Sequence, residues 1–262
     1  MRIAVLHDRL NPTVAAAIDR LRARGVLVEE IGPDVPAAEL ADLQPAHDLY
    51  YLKTSAEPLL TLAGVLHAAG AKTINPYPNV AMLSNKLVAT AMLRRAGLPV
   101  PETWIANDAL ALAKLLDAGP LILKPCRGSR GRGIRIVRHA GELAGPIDVP
   151  VLAQRYHPGD GMDRKLYCIG DRVFGLLRPW PCVSWDEKLR HGTPFAPDER
   201  LCELALSCGQ ALGLSLFGLD LVLSNGTFLI VDVNKCAGFI GVRDAPSLLC
   251  EHLAACARAA GA

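Results

Sequence analysis

The sequence predicts a mixed α/β fold: a small parallel α/β unit at the N-terminus, followed by a region built from antiparallel hairpins and helices. Two patterns carry this reading. Short apolar strands alternate with helices over roughly the first 84 residues, which implies a parallel sheet covered on both faces. Later strands instead meet across tight turns, at Gly170-Asp171 and Asn225-Gly226, where small φ > 0 residues favour hairpins. Composition agrees with a large core. Of 262 residues, 51% are hydrophobic, and mean hydropathy is +0.24, as in a globular chain.

The elements follow in order. RIAVL (2–6) is a strand, and Asn11-Pro12 opens a helix with Asn as cap and Pro in the first turn. Gly25 ends that helix, and VLVEEI (26–31) and DLYYLKT (48–54) read as strands. A helix covers about Glu57 to Ala69 and stops at Gly70, and KTINP (72–76) is a fourth strand. Ser84 or Asn85 caps the next helix, which Gly97-Leu-Pro-Val-Pro101 terminates. A strand at 103–106, a helix at 108–118 and the strand LILKP (121–125) come next. The glycine-rich CRGSRGRG (126–133) leads into a further strand, GIRIVR (133–138), so it is a hairpin tip and not a strand-to-helix phosphate loop. VLAQRY (151–156) is a strand, 164–179 a hairpin, and 184–198 a polar, irregular stretch. Asp198 caps a helix to Leu212, LFGLDLVLS (216–224) and TFLIVDVN (227–234) form a hairpin, and a last helix covers about Ser247–Arg258. Repeats and low-complexity linkers are absent.

Bulk charge excludes little but points away from two classes. Lys+Arg number 28 against Asp+Glu 26, a net charge of +2, and aromatics make up 5%. Neither a basic surface nor a base-stacking platform is indicated, so neither nucleic acid nor a membrane surface is an expected partner. The apolar stretch from Leu204 to Ser224 contains Gln210, Asp220 and several glycines. It divides into a helix and a strand better than it forms a membrane span. MRIAVLHDRL lacks a signal-peptide layout, and the chain reads as soluble and cytoplasmic. The eight cysteines form no CxxC and show no zinc spacing. Oligomeric state is not encoded in any legible pattern.

Asp232 and Asn234 are the first candidates for chemistry. They end an apolar strand and, two apart, point to one side. A buried carboxylate and amide need partners. A hydrogen-bonded strand end or a hard cation would both satisfy them. Asp220, on the strand paired through the Asn225-Gly226 turn, can reach the same side. Three oxygen donors then converge, which favours the cation. Mg2+ takes one or two carboxylates together with substrate phosphates. The glycine loop and Lys124, in the strand before it, offer to hold those phosphates. Lys86 begins a helix, where the macrodipole disfavours a cation, and so calls for a partner.

In this order, the residues resemble the ATP-grasp superfamily over nearly the whole chain. NKLVATAMLRRAGLPVPETW (85–104) looks like its entry segment, LILKP with the glycine loop like its phosphate-covering flap, and AQRY (153–156) like its hinge strand. GMDRKLYCIGD (161–171) is similar to its D-x-R/K strand, and FGLDLV and VDVN to its two metal-binding strands. The resemblance implies an N-terminal α/β domain (1–84) and two α+β lobes, 85–156 and 157–262, clasping ATP. It implies that Lys86, Lys124, Gly128, Ser129, Arg130, Gly131 and Gly133 contact phosphates. It implies that Gln154, Arg155 and Tyr156 border the base, with Asp163 also on the nucleotide side. Lys165 and Arg178 would face the transferred phosphoryl group or the acceptor, and Asp220, Asp232 and Asn234 would hold Mg2+ or Mn2+. The glutathione-synthetase and ribosomal-protein glutamate-ligase branch implies a carboxylate–amine ligase working through an acylphosphate. Its partners would be a small-molecule carboxylate and an amine, or a peptide or protein terminus. Two departures stand out. Many ligases of the family have Glu where this chain has Asp232, whereas inositol-phosphate kinases also use Asp. Ala237-Gly238 replaces a frequent Pro-Gly. A small-molecule kinase and a non-catalytic ATP-binding regulator are the alternatives. Acceptor choice is expected to lie in 157–165 and 180–197.

Overall fold

A computed structural model describes residues 1–128, 132–145, 149–179 and 192–260. The first sheet is parallel, as the alternation predicts. Its strands β1 (Arg2–His7), β2 (Leu27–Ile31), β3 (Leu49–Lys53) and β4 (Thr73–Ile74) lie in the order β2-β1-β3-β4. Ala4, Leu6, Tyr50 and Leu52 face α2 (Glu57–Ala68) and α3 (Tyr77–Met82). Ile3, Val5, Leu49 and Tyr51 face the other way, toward α1 (Pro12–Ala23). Asn11 caps α1 by accepting from the Val14 N–H at 3.0 Å.

Two antiparallel sheets follow. The first holds β5 (Thr103–Ala106), β6 (Leu121–Pro125), β7 (Arg135–Val137) and β8 (Val151–Arg155), ordered β5-β8-β6-β7. It is introduced by α4 (Lys86–Arg95), capped by the Asn85 side chain. The second holds β9 (Met162–Ile169), β10 (Arg172–Pro179), β11 (Thr193–Phe195), β12 (Leu216–Ser224) and β13 (Thr227–Asn234), ordered β11-β10-β9-β12-β13. The helix α5 (Glu199–Leu212) and α4 cover one face of this sheet, over Leu166, Cys168, Phe217, Leu219 and Leu221. Burying an apolar side chain of that size is worth about 2 kcal/mol, so this face is strongly fixed to the core. The opposite face carries the polar residues beside Tyr167, Ile169 and Leu216, which belong to the core shared with the N-terminal sheet.

Several local expectations change. The helix expected at 108–118 is present over Ala109–Ala118 and is of the 3₁₀ type. Leu112 is buried beneath β6, and the helix closes at Gly119, whose φ is +127°. The fourth strand shrinks to Thr73–Ile74, because the Thr73 hydroxyl accepts from the Tyr77 N–H and starts α3. The helix α3 was absent from the sequence reading. Its six residues are too few for a clear period. The polar stretch ends in the edge strand β11, which pairs with β10.

The final helix, α6 (Ala245–Ala260), packs back on the N-terminal sheet. Leu249, Cys250 and Leu253 share a core with Ile3, Val14, Ile18, Tyr51, Tyr167 and Phe239. The first sheet is thus joined to the β9–β12 sheet through common apolar packing. No helix among the described residues is long and apolar enough to cross a membrane.

Candidate active site

Register places the polar residues. Asp220 lies directly opposite Asp232 on β13 and opposite Lys165 on β9. Gly218 lies opposite Asn234 and Tyr167, and Arg178 opposite Asp163. Opposed residues in antiparallel strands share a face. One sheet face therefore carries Asp163, Lys165, Arg178, Asp220, Asp232 and Asn234. The convergence of Asp220 and Asp232 expected from the hairpin is present.

Two carboxylates directly opposite each other repel. Each is met by a lysine. Lys165 Nζ donates to Asp220 Oδ1 at 2.6 Å, and Lys86 Nζ donates to an oxygen of Asp232. The mismatch of Lys86 with its helix start is answered by this ion pair. Its backbone N–H, one of the orphan donors of α4, is taken by the Cys126 carbonyl at 2.8 Å. The Lys165 side chain is 8% exposed and that of Asp220 18%, against 22% and 36% for Lys86 and Asp232. The first pair is the more desolvated. Burial opposes the charge on Lys165, but the Asp220 carboxylate, with Tyr167 and Asp163, outweighs it and holds the ammonium above the usual lysine range.

Lys124 reaches toward the same place from the facing sheet. Its ammonium donates to Gln154 Oε1 at 2.8 Å and to the Val231 carbonyl at 2.9 Å. Both acceptors are neutral. Burial lowers its pKa to about 8, with Lys86 adding to the fall and Asp232 and Asp220 resisting it. Gln154 is oriented in turn, giving its amide N–H to Thr103 Oγ1 at 3.1 Å. Lys86, Thr90, Lys124, Gln154 and Asp232 line a narrow cavity between α4, the two sheets and β13.

The remaining expectations fall unevenly. The Arg155 side chain turns away from this cavity: it donates to the Leu115, Gly119 and Pro120 carbonyls and stacks over Trp104 at 5.2 Å. Its backbone and that of Tyr156 bond to Glu102 and Pro120. Arg178 is 3% exposed, with a buried Nε that has no hydrogen-bond partner among the described residues. Gly128 has φ +137° with open space around it. Gly133 needs glycine twice over: φ is +71°, and a Cβ would lie 2.8 Å from Pro125 Cγ. Ser129, Arg130 and Gly131 lie outside the described residues, as do 180–191 of the expected acceptor region.

Gly218 was missed by the sequence reading. A Cβ there would press on Tyr167 at 3.3 Å and on Lys165 Cε at 3.4 Å, so its absence lets the lysine stem cross the strand toward Asp220. A glycine two residues before an acid inside an apolar strand is the available signal. Gln154 as the acceptor for Lys124 was also missed, since that contact depends on the register of β6 against β8.

This arrangement, two facing antiparallel sheets with lysines from both and an acidic pair on one, is the architecture of an ATP-grasp fold. The RimK domain protein ATP-grasp from Sphaerobacter thermophilus superposes with a TM-score of 0.76 at 20% identity, covering 97% of this chain and 99% of that one. D-cycloserine synthetase DcsG superposes at 0.75 with 17% identity, covering 98% and 100%. Residues 83–247 match the RimK-like ATP-grasp domain, and the chain belongs to that family. A probable alpha-L-glutamate ligase of Cellvibrio japonicus is 29% identical over 177 residues, 62% of this chain and 58% of that protein. Human N-acetylaspartylglutamate synthase A is 25% identical over 209 residues, 72% and 52% respectively. The chain spans a little over half the length of these two relatives.

Proposed function

We propose that the protein is an ATP- and Mg2+-dependent carboxylate–amine ligase that forms an amide bond and releases ADP and phosphate. The observation that carries this reading is the shared face on which Lys165, Asp220, Asp232 and Asn234 meet Lys86, with Lys124 opposite. Family membership supports it. The names of the relatives make glutamate the first amine to test.

The donor set suits a hard cation. Asp220 and Asp232 offer carboxylate oxygens, and Asn234 an amide oxygen that already accepts from the Cys236 N–H at 3.0 Å and has a second lone pair. Lys86 and Lys165 are paired with these acids. Asp220, Asp232 and Asn234 would hold Mg2+ or Mn2+. When bound, such an ion neutralises phosphate oxygens during transfer. The protein's own groups do the rest. Lys124, held by Gln154, would present a point charge to the ATP phosphates, with Lys86 beside it at Asp232. Gly128 and Gly133 let backbone approach the phosphates closely. Lys165 and Arg178 offset charge on the acceptor side. The acceptor carboxylate attacks the γ-phosphorus, forming an acylphosphate and expelling ADP. The amine then attacks the acyl carbon, loses a proton and displaces phosphate.

The test follows the γ-phosphate. The protein is incubated with Mg2+, γ-labelled ATP, L-glutamate and fractionated small carboxylates. Label released as phosphate only with a given fraction, together with a new amide, supports the ligase. Label retained on an organic acceptor replaces it with a kinase. Label remaining on ATP with every fraction removes the small-molecule reading.

A further inference from the structure

The β12–β13 ladder has an unusual build around the acidic pair. Three of its residue pairs lie on the acidic side of a register break: Gly218–Asn234, Leu219–Val233 and Asp220–Asp232. The register then shifts, with Leu221 opposite Ile230, so that Val231 bulges out. The bulge detaches this short segment from the rest of the hairpin. Its register must be fixed from elsewhere, because a one-residue slip turns every side chain to the opposite face.

On the bulge side, neighbours do this. The Val231 carbonyl accepts from Lys124, and the Ile230 N–H donates to the Pro99 carbonyl at 2.8 Å. On the open side, the work falls to Asn75, just beyond β4 in the N-terminal sheet and 1% exposed. Its Nδ2 donates to the Leu216 carbonyl at 2.7 Å and to the Lys235 carbonyl at 3.3 Å. Its Oδ1 accepts from the Ser215 N–H at 2.9 Å and the Leu216 N–H at 3.0 Å. Both donors and both lone pairs of the amide are used. Leu216 begins β12, and Lys235 follows the last residue of β13. The side chain therefore stands in for the next rung of the ladder and ties both strand ends together.

Two other side chains grip the same turn, Lys53 on the Cys236 carbonyl at 2.8 Å and Asn11 on the Gly238 carbonyl at 3.2 Å. Each holds only the β13 side. Among the described residues, Asn75 is the side chain that bridges both strand ends and so can set their register.

We infer that Asn75 is a positioning residue: it locks the three-pair segment so that Asp220, Asp232 and Asn234 stay on one face, and thereby couples the N-terminal sheet to cation binding. The second part rests on the metal assignment proposed above. Asn79 provides the control. It also crosses between the N-terminal unit and the later chain, donating to the Leu212 carbonyl at 2.7 Å, but at the end of α5, away from the ladder.

The experiment compares Asn75→Ala, the milder Asn75→Ser and Asn79→Ala in the full chain by two readouts. Hydrogen–deuterium exchange follows peptides covering 215–220 and 232–236. Electron paramagnetic resonance titrates Mn2+ with saturating ADP. Asn75→Ala is expected to raise exchange at both strand ends and to weaken Mn2+ by about 10-fold or more, the scale of lost ligand support. Asn75→Ser shows a smaller change of the same kind, and carries the comparison if the alanine variant does not fold. Asn79→Ala leaves both readouts near wild type even where it lowers the melting temperature. Wild-type exchange in the Asn75 variants, unchanged Mn2+ affinity beside raised exchange, or equal losses in Asn79→Ala would each overturn the inference. If the wild type binds no Mn2+, the metal assignment falls, and exchange alone decides whether Asn75 sets the register.

Discussion

Lys124 and Lys165 stand on facing sheets, both buried, and their surroundings are opposite. Lys124 rests on an amide oxygen and a carbonyl, and burial drives its pKa down to about 8. Lys165 rests on the Asp220 carboxylate and keeps its proton more firmly than a free lysine. The β5-β8-β6-β7 sheet thus offers a cation with only neutral partners, and the β9–β13 sheet a compensated cluster. A buried ammonium without a direct carboxylate contact is suited to an incoming anion. One already paired is suited to holding its neighbour in place. The difference supports the proposed role of Lys124 toward the nucleotide, and shows that Lys165 also holds Asp220 in place.

The strongest way to break this comparison is to remove Lys165. Lys165→Met leaves Asp220 buried without its lysine, and stability should fall by about 3 kcal/mol, read as a shifted denaturation midpoint. An unchanged midpoint would mean that the pair is not structural. Asp232→Asn should leave the fold intact and lower turnover by ~100-fold or more, about 3 kcal/mol of transition-state stabilisation. Near-normal phosphate release in that variant would sink the metal assignment. Lys124→Met should weaken ATP binding, measured by calorimetry, by about 2 kcal/mol, the scale of a hydrogen bond to a charged group. Its stability should fall less than that of Lys165→Met, by about 1–2 kcal/mol, because the acceptors left behind on Gln154 and Val231 are neutral.

A pH series sharpens the contrast further. Raising the pH through about 8 removes the proton from Lys124, and a neutral amine no longer attracts phosphate. ATP affinity should therefore fall above that pH, by at most ~10-fold per unit for one proton. In Lys124→Met this component should vanish. Its persistence there would assign the titration to another group. The smallest effect is expected at the rim. Asp160 and Arg164 make two contacts, at 2.8 and 2.6 Å, in a partly exposed setting. Asp160→Asn should cost no more than ~1 kcal/mol, with turnover unaffected.

The acidic face is legible in the sequence. FGLDLV and VDVN, joined by Asn225-Gly226, announce a hairpin, and period-two geometry puts Asp220, Asp232 and Asn234 on one side. Lys124 and the glycine loop were likewise marked by charge and glycine in an apolar context. Gln154, Gly218 and Asn75 were not read for their roles. Each acts through a residue distant in sequence: Gln154 on Lys124, Gly218 beneath Lys165, Asn75 on Leu216 and Lys235. Local patterns carry no information about which strand becomes the neighbour.

The sequence by itself determined the kinds of element, their order and the oxygen-rich strand ends, because hydrophobic period, caps and turn residues act over a few positions. The tertiary structure alone decided which lysine meets which acid, that α6 returns to cover the first sheet, and that an asparagine beyond β4 closes the ladder of the acidic strands. Those outcomes depend on sheet register and on packing between segments more than fifty residues apart, where the free energy lies in contacts that no short window contains.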